Sequence, residues 1–90
     1  MINVDDDTDI GAEVRKIIQE QMGYSGLEGI DTSKTLEELG VDSMDRMEIA
    51  IEFGDHFEVD LPRSLEGQSV RKIESYYQSK ADIYLASRRK

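Results

Sequence analysis

The residues able to do chemistry in this chain are concentrated in one stretch, Asp42-Ser43-Met44-Asp45-Arg46-Met47-Glu48, which continues through Ile51 and Glu52. Ser43 offers a hydroxyl, and Asp42 and Asp45 flank it with carboxylates. Taken alone, a serine at this place reads as a helix cap. The carboxylates could suggest acid–base chemistry, but on an exposed helix they gain too little desolvation for strong pKa tuning. Cysteine is absent, which excludes disulfides, thiolate metal sites and a Cys nucleophile. His56 is the one histidine and cannot make a multi-histidine zinc site; it reads as structural or solvent-facing. Asp5, Asp7 and Asp9 alternate like the start of a calcium loop. Its sixth position would be Ile10 instead of Gly, however, and its twelfth Lys16 instead of Glu. No nucleophile–base pair and no Gly-rich phosphate loop is visible. The pattern is that of a protein without catalytic machinery of its own.

The surrounding charge agrees. Residues 36–61 carry 9 acids and only Arg46, a net of −8, whereas residues 62–90 are net +4 with 7 bases against 3 acids. The whole chain is −9. This balance argues against nucleic-acid binding, which needs concentrated positive charge, and favours partners with basic surfaces. The chain has 90 residues at 10.2 kDa, enough for one small domain, 1–90. No apolar run approaches a membrane span, and the start, Met1 to Asp7, lacks the basic and apolar regions of a signal peptide. The expected location is cytoplasmic.

The elements that must position this stretch read as helices, giving an all-α fold: a small bundle of three main helices plus one short helix or turn, with a long first loop. Ile10, Val14, Ile17, Ile18 and Met22 share one helical face. Thr8 or Asp9 can cap that helix and Gly23 can end it. The loop from Gly23 to Thr35 follows, with Leu27 and Ile30 expected to pin it to the core. Thr35-Leu36-Glu37-Glu38 fits a capping box opening a single turn that Gly40 stops. The second helix is expected from Asp42 or Ser43 to about Phe57, one further turn from Arg63 to Gly67, and a last helix capped by Ser69. That helix carries Val70, Ile73, Tyr77, Ala81 and Tyr84 on one face. Residues 1–8 are expected to be acidic and frayed, and residues 81–90 a C-terminal helical extension with a basic end.

The second helix has two apolar faces. At roughly 100° per residue, Ile49, Ala50, Phe53 and Phe57 fall together, with Met44, Met47 and Ile51 nearly opposite. Both could be core in a central helix. Asp45, Glu48, Glu52 and Asp55 border the second cluster, however, and a row of carboxylates cannot be buried unpaired. Met44, Met47 and Ile51 are therefore expected to form an exposed patch edged by acids, and methionine suits a surface that accommodates several partners.

The string Leu36-Glu37-Glu38-Leu39-Gly40-Val41-Asp42-Ser43-Met44 resembles the signature of the acyl carrier protein family, as do Met47-Glu48 and Phe57-Glu58-Val59-Asp60-Leu61-Pro62. The first helix, Glu13 to Ile18, is similar to the family's as well, and the resemblance covers about Asp9 to Tyr77. It implies that Ser43 is esterified with 4′-phosphopantetheine derived from coenzyme A, and that the thiol of this arm carries an acyl group as a thioester. A helix start suits an anionic phosphodiester, and the arm supplies the thiol that the chain lacks. The implied partners are a phosphopantetheinyl transferase and acyl-loading and synthase or transferase enzymes with basic docking surfaces. They would meet a monomer through Asp42, Met44, Asp45, Met47, Glu48, Ile51 and Glu52.

The expected function is carriage of acyl intermediates for fatty-acid, lipid or polyketide synthesis. An aminoacyl or peptidyl carrier, or a non-cycling interaction module of the same fold, are the alternatives. Several residues depart from the family pattern. Arg46, at about the angle of the core stripe, must snorkel or narrow the acyl cavity. Gly54 weakens the second helix, Arg63 replaces a commonly acidic residue, the segment 63–68 is short, and the last helix is long. These departures point to a specialised carrier.

Overall fold

The computed structural model describes residues 2–23 and 30–88. Among them the chain forms four helices and no strands: α1 (Ile10–Met22), α2 (Ser43–Phe57), α3 (Arg63–Glu66) and α4 (Val70–Arg88). The long-loop residues 24–29, Leu27 included, and the terminal Arg89 and Lys90 lie outside the described residues.

Each boundary has a local cause. Asp9 caps α1, its carboxylate accepting from the Ala12 amide at 3.1 Å. Gly23 ends α1 in the left-handed region (φ 75°), where a residue without Cβ is unstrained, and its N–H returns to the last carbonyls. Ile30 is half-buried against the core, as expected of the loop's anchor. Ser69 caps α4, its Oγ accepting from the Lys72 amide at 3.3 Å. The free amides at the start of α4 find acceptors on the long loop: Val70 donates to the Lys34 carbonyl (2.9 Å) and Arg71 to that of Thr32 (2.8 Å). These bonds tie the segment before Ser43 to the last helix.

The core joins α1, α2 and α4. Ile10, Val14, Ile17 and Ile18 of α1 meet Ile49, Phe53 and Phe57 of α2 and Val70, Ile73, Tyr77 and Ala81 of α4. Phe57 stacks on Tyr77 at 4.4 Å between ring centroids, with Phe53 5.7 Å from Tyr77. Burying each of these rings stabilises the fold by about 1.5–3 kcal/mol. Two polar contacts bind α1 to its neighbours: the Arg15–Glu74 ion pair with α4 (3.1 Å), and His56 Nε2 of α2 against the Glu13 carboxylate (3.3 Å). At Gly54 the Asp60 carboxylate rests against the bare helix backbone: a Cβ there would lie 2.7 Å from Asp60 Oδ1.

The N-terminus corrects an expectation. In place of a frayed segment over residues 1–8, Ile2 is buried in the core and Val4 packs against it. The Asn3 amide donates to the Phe57 carbonyl at 2.8 Å and its side-chain amide to the His56 carbonyl at 3.3 Å. The orphan carbonyls ending α2 are thus satisfied by the start of the chain. Asp5 and Thr8 then close a turn through their side chains (3.0 Å).

Candidate functional site

The turn before α2 is built to present Ser43. The capping box at Thr35 forms as the sequence implies: the Glu38 amide donates to Thr35 Oγ1 (3.1 Å) and the Thr35 amide to the Glu38 carboxylate (2.9 Å). Leu36 and Val41 are buried and anchor the two ends of the turn. Gly40, at φ 91°, reverses the chain between them in a conformation open to few other residues. The Val41 amide closes on the Leu36 carbonyl at 3.0 Å. Asp42, not Ser43, is the N-cap of α2: its carboxylate accepts from the Asp45 amide at 2.8 Å. Ser43 is thereby released from capping, and stands exposed as the first residue of the helix.

From Ser43 a stripe at helical spacing, Arg46, Met47, Ala50 and Ile51, forms one wall of an open groove of about 770 Å³. The opposite wall comes from Thr35, Glu37 and the segment Asp60 to Gly67, including Leu61, Arg63 and Glu66. Sequence reasoning reached Ser43, Met47 and Ile51 but not this second wall. Its members share no periodicity with α2 and meet it only through the fold. Arg46 snorkels: its guanidinium donates to the Val41 carbonyl at 3.1 Å instead of entering the core.

The remaining expected site residues gather on the same helix. Met44 (70% exposed), Met47 (63%) and Ile51 (56%) stand out from the surface, while Ile49, Phe53 and Phe57 are fully buried, so the two apolar faces divide as the acids imply. Ala50 lies half-buried between them. Asp42, Glu48 and Glu52 are exposed and Asp45 is half-buried. Glu48 accepts from the Gln21 side-chain amide at the end of α1. Met44, Asp45, Glu48 and Glu52 lie outside the groove, whereas Met47 and Ile51 both line it and stand out from the surface. Among the described residues no cluster of side chains could hold a metal ion, and no helix is long and apolar enough to cross a membrane.

This arrangement fits a phosphodiester-linked arm. Ser43 gives a free hydroxyl, the groove beside it mixes apolar side chains (Met47, Ala50, Leu61) with polar ones, and Arg46 and Arg63 place cations along it. Residues 12–77 match the family model described as "Phosphopantetheine attachment site". The chain is 32% identical over 72 residues to an acyl carrier protein of Akkermansia muciniphila, covering 78% of this chain and 90% of that one. It is 31% identical over 55 residues to an acyl carrier protein of Rhodopseudomonas palustris, covering 61% of this chain and 70% of the relative. No solved structure matches. The helical bundle, the turn that presents an exposed hydroxyl and the match over most of its length together place this chain in the acyl carrier protein family, whose prosthetic group is a covalently attached 4′-phosphopantetheine.

Proposed function

We propose that this protein is a carrier and not a catalyst, with Ser43 Oγ as the oxygen through which the phosphopantetheine arm is attached. One observation carries the reading: within the matched residues, Ser43 is an exposed hydroxyl at the first position of α2, freed from capping by Asp42 and opening onto a groove. When attached, the arm supplies the thiol chemistry by which acyl groups are held, in a chain that has no cysteine. The protein's own residues do the rest. The α2 start favours the negative charge of a phosphodiester. Gly40, Val41 and Leu36 fix the hydroxyl's place. Met47, Ala50, Ile51 and Leu61 offer apolar contact along the groove.

Met44, Met47 and Ile51, edged by Asp42, Asp45, Glu48 and Glu52, serve as the docking face for the transferase and for acyl-loading and synthase enzymes with basic surfaces. The carrier acts as a cytoplasmic monomer serving fatty-acid, lipid or polyketide synthesis. Incubation with coenzyme A, magnesium and a broad-specificity phosphopantetheinyl transferase, followed by intact mass, tests the attachment. The wild type gains one arm and Ser43→Ala gains none. Transfer to Ser43→Ala would sink the assignment, and no transfer to the wild type would leave the fold as a non-cycling interaction module. In the same assay, Met47→Ala slows loading while the exposed substitution shifts stability by about 0.5 kcal/mol or less. Unfolding of that variant would show the stripe to be core.

A further inference from the structure

Arg46 is the only base among the 26 residues from Leu36 to Leu61, where 9 acids surround it in sequence. Among the described residues it nevertheless makes no ion pair, unlike Arg15, which pairs with Glu74. Its side chain runs back toward the start of α2, as helical side chains do, and one N–H rests on the Val41 carbonyl. That carbonyl lies two residues before Ser43. Ser43 and Arg46 are three residues apart on one helix, a spacing that makes side chains neighbours, and both line the same groove. A guanidinium has five N–H donors, so the bond to Val41 fixes the group and leaves donors for an anion.

We propose that Arg46 is the positioning residue for the arm: its guanidinium binds the phosphodiester oxygens on Ser43 and holds the root of the arm over the groove. The proposal rests on attachment at Ser43. The phosphate is joined directly to Ser43 Oγ, beside Arg46, whereas the cargo hangs from the far end of the arm. The phosphodiester is therefore the anion within constant reach. The planar fork of arginine matches two phosphate oxygens, and charge-assisted bonds of this kind are among the stronger ones. Glu37, Asp60 and Glu66 line the opposite wall together with Arg63, so without Arg46 an anion on Ser43 would have no cation on its own helix face and would look across the groove at three carboxylates and one guanidinium.

The test compares wild type, Arg46→Gln, Arg46→Lys and Arg71→Gln. The last removes one positive charge from an exposed position outside this groove. Each is loaded with the arm and confirmed by intact mass. The ³¹P chemical shift of the phosphodiester and the change in Tm between unloaded and loaded protein are then measured. The expected result is that Arg46→Gln moves the ³¹P signal and abolishes a rise in Tm of a few degrees seen on loading the wild type. Arg46→Lys falls between, and Arg71→Gln matches the wild type. A ³¹P signal and Tm rise in Arg46→Gln equal to those of the wild type overturn the proposal, as does an equal change in Arg71→Gln. If Arg46→Gln does not fold, Arg46→Lys carries the same comparison. A wild type that gains no mass overturns the attachment itself, and this proposal with it, by a different measurement.

Discussion

The Tyr77 hydroxyl sits at the seam between the aromatic core and the turn that follows α2, donating to the Val59 carbonyl at 2.9 Å. Its ring stacks on Phe57, and burial, then the nearby Tyr76 and Asp60, push its phenol pKa well above the usual tyrosine value. A folded pKa above the unfolded one stabilises the native state fully below the unfolded value, about 10 for tyrosine, and that stability is lost as pH rises beyond it. Tyr77→Phe should therefore cost about 1 kcal/mol at neutral pH through the lost hydrogen bond. The gap from wild type should narrow as pH climbs past about 10. Urea melts of both proteins across that range check this; a constant gap would contradict it. Side chains differ in how far sequence exposes them. Ser43 stands in a recognisable string, but the direction taken by Arg46 depends on a backbone acceptor, the Val41 carbonyl, that no side-chain pattern encodes.

At the level of elements, α4 is the longest helix, 19 residues, and its later turns are held by few contacts. Ala81 is buried and Tyr84 half-buried, whereas Ile83 is exposed. Gln78 bonds to Asp82, and Arg88 lies over the Tyr84 ring at 5.6 Å. Deleting residues 82–90 should lower helicity and cost about 1–2 kcal/mol, mostly from partial burial of Tyr84, or a drop in Tm of about 4–8 °C per kcal/mol. Circular dichroism on heating reads both; unchanged values would show that the last turns contribute nothing. The helices were legible because an amphipathic face repeats every 3.6 residues, and Asp9 and Gly23 mark the limits of α1. The N-terminal segment was not. Ile2 and Val4 are too few to show a period, the aspartates after them suggest solvent, and the carbonyls that hold Asn3 between them lie on a helix more than fifty residues away. The groove's second wall was hidden for the same reason: Asp60 and Arg63 meet the groove residues of α2 only through the fold of the returning chain.

Over the whole molecule, charge is the dominant imbalance. The net charge of residues 36–61 is −8, and among the described residues none of its acids is held in a salt bridge. Salt weakens both attraction and repulsion, so the more numerous like-charge pairs decide the sign. Raising monovalent salt from about 0.01 M to 1 M shortens the screening length from about 30 Å to about 3 Å, and Tm should rise across the series. A flat or falling Tm would mean that attractive pairs prevail. The same field concentrates on the face carrying Met44, Met47 and Ile51, so a condition that stabilises the free protein should also slow its encounter with the basic partners proposed for that face. The clasp of Asn3 on Phe57 has a practical use. It fixes Asn3 at the far end of α2, about 21 Å along the helix from Ser43. A tag, fluorophore or surface linker joined upstream would therefore emerge away from the hydroxyl and its groove, and the protein could be tethered by that end with its working face turned outward.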